Sequence, residues 1–440
     1  MRVLILGANG FIGSHLVDGI LQSTDWRVEA FDLADGNLAP FRGDPCFSFT
    51  AGDIFTDDQW LKEAVGRSDV VLPLAGIAKP AYYLSRPLWT FELDFEQNLK
   101  VVRLCDGAKK RVVFPSTSEV YGMSADSVLD EETSPLIVGP VGKMRWIYSC
   151  GKQMMDRVIT AYGQERGLRY TLFRPFNWIG PRLDTFRDAE ERTARSITQM
   201  VHDILSGRPI TLVNGGEQHR SFTYVSDGIA ALLAIIGNEE RSNGRIFNIG
   251  NPKNNVSIRE LAHVVVDAMK AIPSFREAAE RARFTILPAE QYYGNGYDDM
   301  QNRVPSIDAI RDALGWTPLE GGRRADRRQL RGLTGAECRD GTVAHRQDRR
   351  GHADGLPRRR AEAALHAPVP GGAGVLLSPL RPGQLGQGDP PHFPPGVSHE
   401  DDPDKGPLHL RPEDAPLRDG APRAAHRPVE PRHPPSHPGR

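Results

Sequence analysis

Over the first 320 residues, short apolar runs alternate with stretches of helical spacing. Residues 2–6 (RVLIL) read as a buried strand, followed by a glycine turn and by apolar positions at helical intervals from Phe11 to Leu21. VEAFDL (28–33), VVLPLAG (70–76) and RVVFPSTS (111–118) read as further strands, with helical stretches such as 90–108 between them. RYTLFRPFN (169–177) and RIFNIGN (245–251) extend the series. Strand, helix, strand at this spacing predicts parallel βαβ units with helices on both faces. Residues 256–272 predict an amphipathic helix, with Ile258, Leu261, Val264, Val265 and Met269 on one stripe and Ser257 near its start. The expected fold class is α/β. A doubly wound parallel sheet would occupy about 1–175, and a smaller C-terminal α/β lobe would be built mainly from about 176–320.

This patterning stops near residue 320. Positions 321–440 hold 19 Arg, 19 Pro, 17 Gly and 9 His, a single Phe (Phe393), a single Lys (Lys405), and no Ile, Asn, Tyr, Trp or Met. A segment so poor in aromatic and β-branched mass buries too little apolar area to offset its ordering entropy, so a disordered tail is expected. One account is a natural Pro/Arg-rich arm. The other is a frameshift: Ile, Asn, Tyr, Met, Lys and Phe have AT-rich codons, and their near-complete loss is what GC-rich DNA yields when read out of frame. The depletion follows codon composition better than any physical need, which favours the frameshift.

Charge narrows the field. With 55 Lys and Arg against 56 Asp and Glu the net charge is −1, so nucleic acid is not an expected partner. No run approaches the length of a membrane span and no secretory signal is visible, so a cytoplasmic protein without membrane contact is the expectation. The four cysteines lie far apart without CxxC, which suggests neither a disulfide framework nor a metal site.

The first candidate chemistry is Gly7, Gly10 and Gly13, a GxxGxxG directly after a strand and at a helix start. Glycine allows the tight turn and lets backbone N–H groups approach a pyrophosphate, the arrangement of a Rossmann-type sheet. Phe11 and Ile12 belong to the same turn. Asp32 ends the second strand about 20 residues on, where a carboxylate accepts from both hydroxyls of an adenosine ribose. An acid there repels a 2′-phosphate, which favours NAD over NADP as cofactor. Its plainer role is a strand-end turn residue. Asp53 and Ile54, after a third strand, would sit at the adenine edge, or Asp53 would simply hold a turn. The second candidate is Tyr148 with Lys152, spaced YxxxK in a helical stretch and so on one helix face. A phenol with a pKa of ~10 is a poor base near neutrality, and a cation beside it stabilises the phenolate.

GANGFIG, TSEVYG and YSCGK together resemble the extended short-chain dehydrogenase/reductases that act on nucleotide sugars. LIVGP (136–140), RWIYSCGKQMMDRVI (145–159), FRPFNWIGPRLD (173–184) and YYGNGYDDMQNRVPSI (292–307) resemble one branch of that NAD-dependent epimerase/dehydratase family. It is the UDP-glucuronate dehydrogenase/decarboxylase module of the bifunctional polymyxin-resistance enzymes, which build 4-amino-4-deoxy-L-arabinose for lipid A. The resemblance covers about 1–320 and lacks a formyltransferase module before Met1. It implies that the C-terminal lobe binds substrate, and that Tyr148 takes the C4 hydroxyl proton as hydride passes to NAD. It also implies that Lys152 holds the tyrosine basic and binds nicotinamide ribose, while Thr117 or Ser118 bonds the reacting oxygen. Carbon dioxide then leaves from the position β to the new ketone. Arg303 resembles the family's proton-donating arginine and Glu119 its acid/base glutamate. An arginine is a poor literal acid, so orienting the carboxylate and stabilising the enolate suits Arg303 better. A helix-start acid and a surface ion pair are the plainer roles of these two residues.

By position, the resemblance further implies substrate contacts at Ala78, Tyr83, Arg145, Asn177, Arg195, Arg220 and Tyr297. Arg145 and Arg220 would face diphosphate or carboxylate oxygens, unless they are ordinary surface arginines. Thr211 stands where the family tends to place lysine. The expected substrate is a UDP-sugar, UDP-glucuronate first, and the family implies a homo-oligomer. Related reactions that recycle NAD, those of UDP-xylose synthases and UDP-sugar 4-epimerases, stay open, as does a non-catalytic NAD-binding protein. Tyr148 and Lys152 speak against the last.

Overall fold

The computed structural model describes residues 1–293 and 300–319. The tail beyond Leu319, and with it the expected disorder, lies outside the described residues. Six strands, β1 (Arg2–Leu6), β2 (Arg27–Asp32), β3 (Phe47–Ala51), β4 (Val70–Pro73), β5 (Arg111–Pro115) and β6 (Tyr170–Pro175), join a seventh, Arg245–Ile249, in one parallel sheet. Their order is Arg245–Ile249, β6, β5, β4, β1, β2, β3, so the winding reverses between β1 and β4.

Both faces of the sheet are covered, and this explains the unbroken apolar runs that betrayed the strands. In β1, Val3 and Ile5 point into one core with Leu16, Val17, Ile20, Ile229 and Leu232. Leu4 and Leu6 point into the other, with Val65, Val101, Phe114, Met155 and Ile159. Leu6 pairs with Phe31 on one side and Pro73 on the other, so the three strands end level at the reversal point. Gly7 N–H then donates to the Phe31 carbonyl (2.8 Å) and Leu74 N–H to that of Leu6 (2.7 Å). A crevice at such a reversal is where open α/β sheets bind ligands.

The helical stretch expected over 90–108 is broken into Pro87–Phe91, a π-helical segment Glu92–Gln97, and Asn98–Ala108. The wider π turn carries Asp94 among its buried residues.

A third core lies in the lobe after β6, formed by Ile179, Leu183, Ile197, Val201, Leu212, Leu261, Val265 and Met269. The helix Ile258–Lys270 is capped by Ser257, whose hydroxyl accepts from Glu260 N–H while Glu260 returns the bond. Leu261, Val265 and Met269 are buried as the periodicity predicts, whereas Ile258 and Val264 are half-buried at the margin. The chain does not stay in this lobe. Arg245–Ile249 returns to the sheet, the helix Val225–Gly237 packs on the helix Phe11–Ser23, and Trp316 donates to the Asp227 carbonyl (3.1 Å). Among the described residues no helix is long and apolar enough to cross a membrane.

Candidate active site

The glycine turn is built by close backbone contact. Gly7 has φ +84°, and a Cβ there would lie 2.5 Å from Ala75 N. A Cβ on Gly13 would meet the Gly7 carbonyl oxygen at 2.4 Å. Gly10 starts the helix Phe11–Ser23 without a side-chain cap, leaving its first amides to other partners. Phe11 and Ile12 are half-buried against the cores below. Asp32 reaches under the turn: one carboxylate oxygen accepts from Asn9 N–H (2.8 Å), the other from Leu33 N–H (2.7 Å). Burial pushes its pKa up, and these amides pull it back only in part. Each oxygen keeps a lone pair for a further donor. Asp53 accepts from Phe55 N–H (3.0 Å), while Ile54 is buried and its carbonyl accepts from Lys100 Nζ (2.6 Å).

Tyr148 and Lys152 lie one turn apart near the start of the helix Trp146–Arg166, and both are buried. The Tyr148 ring stacks on Tyr83, centroids 4.5 Å apart and planes within 6°. Lys152 Nζ donates to the Pro115 carbonyl (3.0 Å) at the end of β5, and lies 3.2 Å from Asp94 and 5.8 Å from the Tyr148 ring centroid. Burial drives the Tyr148 hydroxyl well above the usual phenol range, Asp94 and Glu119 add to this, and the bonds to Thr117 and Tyr83 oppose it. Thr117 caps the short turn Ser118–Tyr121 by accepting from Glu119 N–H (3.2 Å), and Ser118 is buried beside it.

That turn aims Glu119 at two arginines from distant parts of the chain. Arg145 Nη2 donates to one of its oxygens (3.0 Å) and Arg303 Nη1 to the other. Burial favours the neutral acid, but Arg303 and then Arg145 outweigh it, with Arg220 adding to the pull, and the carboxyl falls to about 2. Arg303 and Arg145 are 4% and 2% exposed, so neither is the surface arginine of the plainer reading. Arg220 is also buried, and its Nη1 donates to the Met300 carbonyl (2.9 Å), tying its strand to the segment that carries Arg303. Asn177 sits at φ +38° with its amide on the Ser221 carbonyl (3.1 Å). Ala78 is exposed in the loop after β4, and Thr211 is half-buried in the strand Ile210–Val213. Arg195 is engaged elsewhere, with Nε and Nη2 on the buried Asp184 (3.0 and 2.8 Å). Tyr297 lies outside the described residues.

Two further groups carry no motif. Asp94 faces Lys152, and nothing in α-helical periodicity announces it, because a π turn puts it inside. Asp156, one turn after Lys152 on the tyrosine helix, accepts from Ser116 Oγ (2.8 Å) and Arg174 Nη2 (3.1 Å). Here a signal exists, since a guanidinium inside the apolar run YTLFRPF must find a buried partner.

The reversing parallel sheet, the glycine turn at its crevice and the Tyr–Lys helix define a Rossmann-type enzyme of the short-chain dehydrogenase/reductase class. Residues 3–250 match the NAD dependent epimerase/dehydratase family, and the chain belongs to that family. The crystal structure of the PbgP3 protein from Burkholderia pseudomallei is 45% identical, with a TM-score of 0.69, over 76% of this chain and 96% of that one. UDP-glucuronic acid 4-epimerase from Bacillus cereus, solved with UDP-glucuronic acid and NAD, shares the fold at 20% identity and TM-score 0.65, over 76% of this chain and all of that one (100%). UDP-glucose 4-epimerase from Thermotoga maritima does so at 20% identity and TM-score 0.63, covering 76% of this chain and 99% of that one. NAD is the cofactor of the family, and the chain fits it: Gly7 and Gly13 leave no room for a Cβ, the helix start is uncapped, and Asp32 ends β2 with its carboxylate against the turn.

Proposed function

We propose that the protein is an NAD-dependent, decarboxylating UDP-glucuronate dehydrogenase that yields a UDP-4-keto-pentose. The observation that carries this reading is the Glu119–Arg145–Arg303 cluster beside the Tyr148 hydroxyl. Oxidising a sugar hydroxyl needs only a base and a hydride acceptor. Two buried guanidiniums on Glu119, whose charge Tyr148 feels, add a means of gripping a second carboxylate, that of the sugar C5, through paired N–H donors. The 45% identity to PbgP3 supports the same branch of the family.

NAD supplies the hydride acceptor and a positive charge. The chain does the rest. Tyr148 Oη receives the proton of the C4 hydroxyl, and Thr117 Oγ1 bonds the reacting oxygen. Lys152 offsets the negative charge that forms on the phenol. Once C4 is a ketone, the bond from C5 to its carboxylate breaks, its electron pair passes into the C4–C5 enolate, and carbon dioxide leaves. Arg303 and Arg145 hold the departing carboxylate and stabilise the enolate, which then takes up a proton at C5. Glu119, kept ionised down to about 2, is a poor proton donor near neutrality. We assign it to holding the two arginines in place. The deciding assay supplies the purified protein with UDP-glucuronate and NAD and follows NADH and carbon dioxide together. Equal amounts of both are expected. Carbon dioxide without net NADH would indicate a xylose synthase, and product from UDP-glucose alone an epimerase.

A further inference from the structure

We propose that Asn248, together with Glu131, is a positioning residue for Arg303, pinning the segment that carries the arginine to the edge of the sheet. The proposal rests on the carboxylate-holding role assigned to Arg303 above. Asn248 is buried in Arg245–Ile249, the edge strand, and its polar groups reach parts of the chain far away in sequence. Its Oδ1 accepts from Tyr121 Oη (2.9 Å), and its Nδ2 donates to the Leu129 carbonyl (3.0 Å). An edge strand presents amides without a neighbouring strand, and Glu131 Oε1 takes that of Asn248 (2.6 Å). Leu129 in turn pairs with the segment of the arginine. Its N–H donates to the Val304 carbonyl (2.7 Å) and its carbonyl accepts from Ser306 N–H (2.8 Å).

The segment is gripped from two sides, and Arg303 stands between the grips. On the lobe side, Arg220 Nη1 and His219 N–H hold the carbonyls of Met300 and Gln301 (2.9 and 2.8 Å). On the sheet side, Asn302 donates to the Ser127 carbonyl (3.3 Å) and Leu129 takes residues 304 and 306. A Cβ on Gly250 would lie 2.6 Å from Pro305 Cγ, so the strand leaves the sheet bare where the proline packs. Glu119 belongs to the sheet side as well. Tyr121 closes the turn Ser118–Tyr121 that aims it. Arg174 Nη1 donates to Tyr121 Oη (2.9 Å), which leaves the proton of that hydroxyl for Asn248. One circuit therefore runs from the turn of Glu119 through Tyr121, Asn248 and Leu129 to Val304, and the Glu119–Arg303 pair closes it. Slack in that circuit leaves the hydride step at Tyr148 in place but shifts the guanidinium that holds the departing carboxylate. A shift of about 1 Å can cost up to about 10²-fold in rate.

Asn248→Ala cuts the links to Tyr121 and Leu129, and Glu131→Ala cuts the one to the strand N–H. In single turnovers with UDP-glucuronate and NAD, wild type should release carbon dioxide in step with NADH. Both variants should form NADH within about threefold of the wild-type rate, while carbon dioxide lags by about tenfold. Glu131→Gln keeps the acceptor and should restore the match. A merely structural loss would slow both products alike, and that result, or unchanged release of both, overturns the proposal. If wild type forms no NADH or no carbon dioxide from UDP-glucuronate, the substrate reading fails and hydrogen exchange decides the rest. The Leu129 and Ser306 amides should then exchange at least about tenfold faster in Asn248→Ala than in wild type. Unchanged exchange would strip Asn248 of the role. Tyr121→Phe carries the same measurements should Asn248→Ala not fold.

Discussion

The turn at Gly7–Gly13 and the cluster around Glu119 follow the carboxyl ends of two strands of one parallel sheet but are built by opposite means. The turn is seven consecutive residues whose function lies in what three of them lack: no Cβ at Gly7, Gly10 and Gly13, and no side-chain cap on the helix that follows. The cluster joins Glu119 to Arg145 and to Arg303, 184 positions away, and works through buried charge. A turn of this kind tolerates almost no added volume. The cluster tolerates shape changes but not the loss of one partner, because removing one side of a buried ion pair strands the other without solvation. Binding of the nucleotide and recognition of the sugar should therefore fail separately.

The sharpest test of that separation is Tyr148→Phe, together with Arg303→Ala. Loss of a general base costs roughly 10²–10⁴ in rate, so NADH formation should nearly vanish in the first. The second should also be disabled, while both bind NAD as wild type does, as followed by NADH fluorescence. Normal turnover by Arg303→Ala would remove that residue from the site.

Glu119→Ala comes next. It leaves Arg145 and Arg303 without their shared counter-ion and should lower stability by about 3–5 kcal/mol, measured by urea unfolding. The pH dependence has a definite sign. The folded carboxyl titrates at about 2, below its ordinary 4.5, so its contribution is complete above pH 4.5 and is lost as pH falls towards 2. That contribution is on the order of 3 kcal/mol. Glu119→Gln should flatten this acid loss. An unchanged slope would mean that the arginines do not hold the carboxyl.

Asp32→Asn probes the other region. Fold and melting temperature should be nearly kept, since the amide oxygen can still accept from a backbone N–H. NAD should bind about tenfold more weakly, a loss of ~1.4 kcal/mol, and the preference over NADP should narrow. Equal loss of UDP-sugar binding by calorimetry would break the comparison. The smallest effect on catalysis belongs to Arg195→Ala. It leaves the buried Asp184 only the backbone N–H of residue 195 and should cost about 2 kcal/mol of stability, with the KM for UDP-glucuronate within about threefold of wild type. A large rise in KM without loss of stability would show that Arg195 leaves Asp184 for the substrate.

What could be read along the chain is what depends on short range. Strands buried on both faces write themselves as RVLIL and RVVFP, a glycine turn must carry glycines, and Tyr148 and Lys152 share a face because they stand four apart on a helix. Those features and the resemblance they support placed the sheet, the turn, Asp32 and the tyrosine pair. Tertiary structure decided which acids and bases meet. Arg195 is a candidate substrate contact on position alone, yet Asp184 takes its guanidinium. Asp53 settles into its own turn. Asp94 had no signal, since α-helical spacing gives no warning of the extra residue in a π turn that brings its carboxylate inside. Nor does charge order along a chain say which ion pairs form, because their partners are chosen by desolvation and distance in the folded core. That is why Glu119 faces two arginines instead of water.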